Sequence, residues 1–421
     1  MATDQDTATV TGDAGDSPRP SPRPSPRRHS KRRYVLRRVL VGVLVVAVAF
    51  VAFFAVTFIP YVRDSQGEPT EVLVATWGRD HGLGPLVAKA EDFYYAHVST
   101  VAVGGTPTEA ATFAGEDPTT ASTPSTKPSG TTKPGSTPSA TRVVAHLTPP
   151  ARLVSPASNP LPKEGVWQPV GTEVSGVPDI YVTRVRPDSV HTSVLASVMW
   201  IDTKLTKMMY VPGYLEPGGP SPSQGALPQQ YWSQVLANFN GGFRIEDSRG
   251  GYYYNGTSVA PLVQGRATAV VYKDGHVVVG KWGRDVSMSS SVAVVRQNLD
   301  LIVDKGKSRV QDPGSFTWGA TTKGETYAWR SAIGQRADGS LLYIGSPGLS
   351  AATMADTLVQ AGAVRAMVLD MNNWWVAGFY FGHNSAGAPI CHKLDPNIAE
   401  GCDRFLNRYK RDSFQVLAKQ S

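Results

Sequence analysis

An α+β domain with a mixed β-sheet and few helices is what this sequence predicts, on three observations. Strand-like apolar segments recur from about Val143 onward. Asp274-Gly275 and Asp338-Gly339 each sit between two such segments, a strong short-range hairpin signal. Only two stretches of that region, Gln229 to Ala237 and Ala351 to Ala361, read as helices.

Ahead of the domain, residues 1–38 are rich in Pro, Ser and Arg and lack apolar periodicity, which predicts a disordered tail. That tail holds nine Lys or Arg against four Asp, so it carries +5 of the formal charge of +7. The remaining +2 shows no basic stripe, which argues against nucleic acid as a partner. Residues 39–59 (Val39 to Ile59) form a charge-free run of 21 residues. At about 1.5 Å per residue this run spans a hydrocarbon core of roughly 30 Å. The basic flank predicts a single-pass protein with a cytoplasmic N-terminus and an extracytoplasmic remainder. A cleaved signal peptide is the rival, since Lys31 to Arg37 faintly resembles a twin-arginine signal. The run is long for an h-region, however, and its Ala47-Val48-Ala49 lies mid-run, so an uncleaved signal anchor is preferred.

Residues 60–103 read as a juxtamembrane stalk, with Leu86, Ala90, Phe93, Tyr94 and His97 at helical spacing. Residues 104–142 are dominated by Thr, Pro, Ser, Gly and Ala and read as an extended linker. Residues 143–421 then form one domain of ordinary size. Its expected strands begin with Ile180 to Val185, Ser193 to Trp200, Met208 to Val211 and Val235 to Phe239. Ala267 to Tyr272, Val277 to Trp282, Val292 to Arg296 and Leu299 to Val303 follow. Pro212 to Gln229 is a long irregular loop and a candidate rim of a site. Cys391 and Cys402 are expected to pair in an oxidising exterior. No His or carboxylate cluster has ligand spacing, so neither a metal nor another cofactor is expected.

The stretch from Arg330 to Trp375 reads as strand, turn, strand, helix, strand. Ser350 is the expected N-cap and Gly362 the expected C′ residue, with Ala351, Met354, Leu358 and Gly362 on one face. The strand from Arg365 to Leu369 ends on Asp370. Two readings stand there: a carboxylate presented at a strand end as part of a site, or the start of a turn.

Asn240 to Phe243, Arg330 to Gly334, Gly362-Ala363 and Leu369-Asp370 occur in an order that resembles the phosphodiester glycosidase family of the uncovering-enzyme type. The resemblance covers roughly Val166 to Phe381. It extends to a bacterial membrane-anchored branch with a Leu-Asp-x-Asn variant. Where the family has glycines and a serine after Leu-Asp, this chain has Met371-Asn372-Asn373-Trp374. That departure places bulky side chains at the expected pocket floor. The resemblance implies hydrolysis of a sugar-1-phosphodiester, with phosphorylated cell-envelope glycans as substrate.

Such chemistry needs a cation for phosphate, a carboxylate at the anomeric centre, and hydrogen bonds to sugar hydroxyls. Asp370 and Arg330 are the expected catalytic residues, and Arg296 is a second phosphate ligand. Asn240 with Gly241 and Gly242, Asn372, and Trp374 are expected to bind substrate. Competing with these roles are an Arg330–Asp370 structural ion pair and a turn whose glycines take positive φ at Gly241-Gly242. Core packing of Trp374 and solvent exposure of Arg296 also compete. The competing function is a catalytically inactive carbohydrate-binding or envelope-organising protein on the same fold. An open pocket beside Asp370 and Arg330 favours the enzyme; a tryptophan filling that space favours the binding protein.

Overall fold

The computed structural model describes residues 31–98, 100–108, 144–310, 318 and 326–419. The basic tail through residue 30 and residues 109–143 of the Thr/Pro/Ser-rich stretch lie outside them. The chain divides into two units, Met1–Asp64 and Ser65–Ser421. In the first, helix α1 (Lys31–Arg63) contains the charge-free run and is long and apolar enough to cross a membrane.

The second unit begins with two helices, α2 (Thr70–Asp80) and α3 (Gly84–His97). Val72, Leu73 and Trp77 of α2 are buried. The Gly78 position leaves room for Val87, whose Cγ2 would lie 2.9 Å from an added Cβ, so the helices approach closely there. From Ser65 on, the segment read as a stalk belongs to the same compact unit as the sheets.

Three sheets follow, and α+β is the class observed. The largest has eight strands in the order Gln168–Pro169, Ile180–Val185, Ala196–Ile201, Leu341–Leu349, Ala328–Arg336, Ala363–Met371, Leu301–Asp304, Lys307–Ser308. A five-stranded sheet runs Thr257–Ala260, Tyr252–Tyr254, Val292–Gln297, Ala267–Tyr272, Val277–Lys281. The other runs Pro389–Lys393, Gly378–His383, Val235–Asn240, Ser413–Ala418, Thr206–Val211. Among the described strands every ladder is antiparallel, so the sheets are not mixed as expected. Two of these ladders are set locally: both Asp-Gly pairs make hairpins, with Gly275 at φ 85° and Gly339 at φ 86°.

A short turn of helix, α4 (Ile245–Ser248), precedes the one substantial helix of the sheet region, α5 (Ala351–Gln360). Ser350 and Thr353 form a reciprocal capping box, and Gly362 takes φ 90° after the helix end. Ala351, Met354, Ala355 and Leu358 bury against Leu342, Ile344, Ala366 and Val368 of the large sheet. A second core of Val, Leu, Phe and Tyr side chains holds the sheets together, including Phe239, Tyr343, Leu369 and Phe414.

The helix expected over Gln229 to Ala237 is corrected to a 3₁₀ segment, Gln229–Gln234, that gives way to strand Val235–Asn240. Every residue of that strand is buried between two neighbours, so ladder pairing overrides the helical pattern. Cys391 and Cys402 form a disulfide with Cα atoms 5.7 Å apart.

Candidate functional site

The ends of three strands meet at one place. Strand Ala363–Met371 delivers Asp370, strand Val235–Asn240 ends at Asn240, and Asp412 stands just before strand Ser413–Ala418. Ser413 pairs with Asn240, and the ladder between Arg330 and Met371 is irregular. Ser331 bridges that irregularity: its Oγ donates to the Asp370 carbonyl and accepts from the Asp370 amide, each at 3.1 Å. Asn298 Nδ2 donates to the carbonyls of Val368 and Leu369 at 2.5 and 2.7 Å. These contacts fix the strand end that carries the carboxylate.

Asp370 is 4% exposed and faces a cavity of about 230 Å³. Burial pushes its carboxyl up to about 7, against the opposite pull of Arg411. Arg411 Nη2 donates to Asp370 Oδ2 and to the Gly242 carbonyl, and its guanidinium lies over the Trp375 ring at 4.6 Å. Lys410, Arg244 and Asn372 also line this cavity. Arg244 holds Glu216 at 2.8 Å and Asp80 at 2.7 Å, with Glu246 farther off at 3.5 Å. Burial works against its charge, but those carboxylates keep it above the usual arginine range.

Asp370 therefore takes Arg411 as its ion-pair partner, not Arg330. Arg330 is fully buried, with Nε, Nη1 and Nη2 donating to the carbonyls of Leu349, Trp318 and Thr326. Its Nη1 lies 4.0 Å from the Met371 sulfur, and it does not line the cavity. Burial pushes its guanidinium down to about 10.

Arg296 meets neither of its two expectations. It is fully buried, so it does not face solvent, and its donors are engaged inside the protein. Nε reaches Asp412 Oδ2 at 2.9 Å, while Nη1 and Nη2 reach the carbonyls of Gln297 and Phe243 at 2.9 and 2.5 Å. Tyr210 also donates to Asp412 Oδ2, at 2.6 Å. Asn240 is likewise saturated. Its Nδ2 donates to the Gly241 carbonyl and Ser331 Oγ, and its Oδ1 accepts from Tyr343 Oη and the Ala377 amide. The amide thus has no position left for a sugar hydroxyl. Trp374 is 9% exposed and stands apart from the cavity; its carbonyl accepts from Arg404 Nη2 at 2.7 Å.

Neither Gly241 nor Gly242 takes a positive φ, so a left-handed turn is not why they are glycines. A Cβ on Gly241 would stand 2.1 Å from the Asp412 carboxylate, and one on Gly242 would stand 3.3 Å from Arg296 Nη2. The backbone must come close to a buried ion pair. Gly241→Ala is accordingly expected to destabilise the domain by about 2–3 kcal/mol, measured by denaturant unfolding. An unchanged midpoint would show that Asp412 moves aside freely.

The Met371-to-Trp374 departure leaves the pocket open. Asn372 occupies φ 93°, a region glycine favours and asparagine tolerates, and its Oδ1 accepts from the Trp374 amide at 2.8 Å. Trp374 is turned into the protein by this bend. Trp375, which forms part of the cavity wall, carries Arg411 and does not fill the space. Arg411, Lys410, Arg244 and Asp412 had gone unnoticed in the sequence. Their one local signal is the Lys410-Arg411-Asp412 run directly before an apolar strand.

Comparison with known families and structures gives three findings. The phosphodiester glycosidase family model matches residues 233–370. No curated protein matches the chain. Among solved structures, the catalytic domain of zebrafish N-acetylglucosamine-1-phosphodiester alpha-N-acetylglucosaminidase, auto-inhibited by its pro-peptide, is 15% identical. The match covers 60% of this chain and 88% of that one, with a TM-score of 0.38. A hypothetical protein from Synechocystis is 11% identical over 57% of this chain and 62% of its own, with a TM-score of 0.34.

Proposed function

From a chain that carries a phosphodiester glycosidase domain at residues 233–370, we propose hydrolysis of a sugar-1-phosphodiester at the cavity beside Asp370. The observation that carries this reading is a buried carboxylate, poised near neutrality, paired with an arginine on an aromatic wall. A phosphate monoester leaves the anomeric carbon readily, so little acid assistance is needed. The C1–O bond breaks with its electron pair staying on the phosphate oxygen, and positive charge develops at C1. Ionised Asp370 stands by for that charge, either attacking C1 or taking the proton of the water that does. Product configuration separates these roles: retention follows the nucleophile, inversion the base. Among the described residues, Arg411 engages neighbours only through Nη2 and the face of its guanidinium, which leaves Nε and Nη1 for a phosphate oxygen. Trp375 holds the guanidinium in place through the face of its ring.

The substrate we assign is a phosphorylated glycan of the cell envelope, reached from the extracytoplasmic side of the membrane. Support comes from the basic flank ahead of the apolar run and from the length and hydropathy of α1. A second reading, a binding protein without catalysis, draws on the pairing of Arg244 with Glu216 and Asp80. Incubation of the purified protein with a panel of N-acetylglucosamine-1-phosphodiesters separates the two. Release of free sugar supports the hydrolase; retention of glycan without release moves the protein to the binding class.

The pH profile has a fixed sign. Ionised Asp370 is the active form, so kcat/KM should fall about tenfold per pH unit below about 7 and level off above it. Arg411→Ala removes an influence that lowers the Asp370 value, so it should move this limb to higher pH. A profile flat between pH 5 and 8 would remove Asp370 from the reaction.

A further inference from the structure

Five side chains of the α2–α3 hairpin line the cavity together with Asp370 and Arg411: Thr76, Arg79, Asp80, Glu91 and Tyr95. We propose that this hairpin is a specificity-determining wall, which closes the site around one terminal sugar phosphate and excludes internal linkages of a glycan chain. The proposal rests on the hydrolase reading above and names the element that sets its substrate size.

The hairpin's attachment is built from specific contacts. Gln66 forms a reciprocal pair with the domain backbone: its Nε2 donates to the Arg408 carbonyl at 2.5 Å and its Oε1 accepts from the Lys410 amide at 3.2 Å. The buried Glu68 carboxylate pairs with Lys410 and accepts from the Gln66 amide at 2.6 Å. Burial acts to raise the Glu68 carboxyl, but Lys410 and Gln66 hold it below its usual value. Asp80 reaches across to Arg244, and Trp77, 3% exposed, anchors α2. Within the hairpin, Arg79 Nη2 meets both oxygens of Glu91 at 2.6 Å. The wall's charges are thus tied to partners and its shape is fixed.

Size then decides what enters. At about 230 Å³ the cavity falls below the roughly 300–1,000 Å³ of sites that take drug-sized ligands. It suits one sugar with its phosphate, while a chain extending on both sides of the scissile bond would meet α2 or α3. Because Ser65 directly follows the unit that holds α1, the wall is also the part of the domain tied most closely in sequence to the apolar helix.

The test uses the full chain in detergent with two probes, N-acetylglucosamine 1-phosphate and a synthetic oligosaccharide with an internal phosphodiester. Binding is followed by calorimetry and products by mass spectrometry. The wild type should bind the monosaccharide phosphate at least about tenfold more tightly than the oligomer. Gln66→Ala/Glu68→Ala, which replaces no cavity-lining side chain but frees Lys410, should release the hairpin and reduce that preference about tenfold. Amide exchange over residues 65–98 should rise in the same variant. Thr76→Trp leaves the docking contacts in place and should cut monosaccharide binding by at least about tenfold.

An unchanged preference in the released hairpin, no effect of Thr76→Trp, or no binding of either probe overturns the wall. So does a gain of monosaccharide release when the hairpin is freed, which would make it a plug. If the size preference appears without hydrolysis of any diester, the wall stands and the hydrolase reading alone fails.

Discussion

Asp370→Asn should lower kcat/KM by at least about 10³-fold while moving the thermal midpoint by only about 5 °C or less. The activity loss follows because the amide can neither attack C1 nor accept a proton from water. The small stability effect follows from the balance of forces on the carboxyl. Burial outweighs the pull of Arg411, so the native state holds the proton more tightly than the unfolded chain. Stability from this group is therefore full at pH below about 4 and is lost as pH rises through about 7. Above that value the charged form is a burden that asparagine does not carry. Arg411, which loses its ion pair, keeps the Gly242 carbonyl and the Trp375 face. Activity on a chromogenic diester and a melting curve at pH 8 check both halves. A variant that unfolds by tens of degrees would make the Asp370–Arg411 pair structural and displace the site.

Asp412→Ala should act on folding instead, costing about 3–5 kcal/mol. It strands Arg296, which is fully buried and whose Nε has Asp412 as partner, and it removes the acceptor of Tyr210. Burial alone would push the Arg296 guanidinium down; Asp412 holds it above its usual range. The pair sits under Gly241 and Gly242, so its loss should also loosen the backbone carbonyl that accepts from Arg411. Denaturant unfolding of Asp412→Ala, with Arg296→Met/Asp412→Leu as an apolar replacement, checks the account. The double variant should recover most of the loss, because what is costly is the unpaired charge. A single variant within about 1 kcal/mol of wild type would mean the pair contributes little.

What could be read from the sequence was what short range determines. The Asp338-Gly339 hairpin, the Ser350 cap, the Gly362 stop and the strand that ends on Asp370 all depend on residues within a turn or two of one another. The pairing of Cys391 and Cys402 was legible because the chain has two cysteines, 11 residues apart. The site's electrostatics depended on distance in sequence instead. Arg296 and Asp412 are 116 residues apart, and Asp370 and Arg411 are 41 apart. A lone arginine between strand segments carries no mark of burial until its acid is known. Asn240 looked like a ligand because amides bind sugars; its partners Ser331, Tyr343 and Ala377 lie at least 91 residues away. Asn372 is the middle case: asparagine tolerates left-handed backbone, so the bend at φ 93° was legible in principle where bulk at Met371 and Trp374 stood out.

The position of strand Ser413–Ala418 bears on how the chain reaches its native state. It lies between Val235–Asn240 and Thr206–Val211, so neither of those strands has that neighbour until the segment arrives. The Tyr210–Asp412 contact alone closes a loop of 202 residues. Loop closure of that length comes before any pairing rewards it, which predicts slow, late assembly. Until then two apolar strands have open edges, a template for pairing with other chains. During folding the vulnerable interval is thus the wait for one segment, and protection from aggregation is needed there.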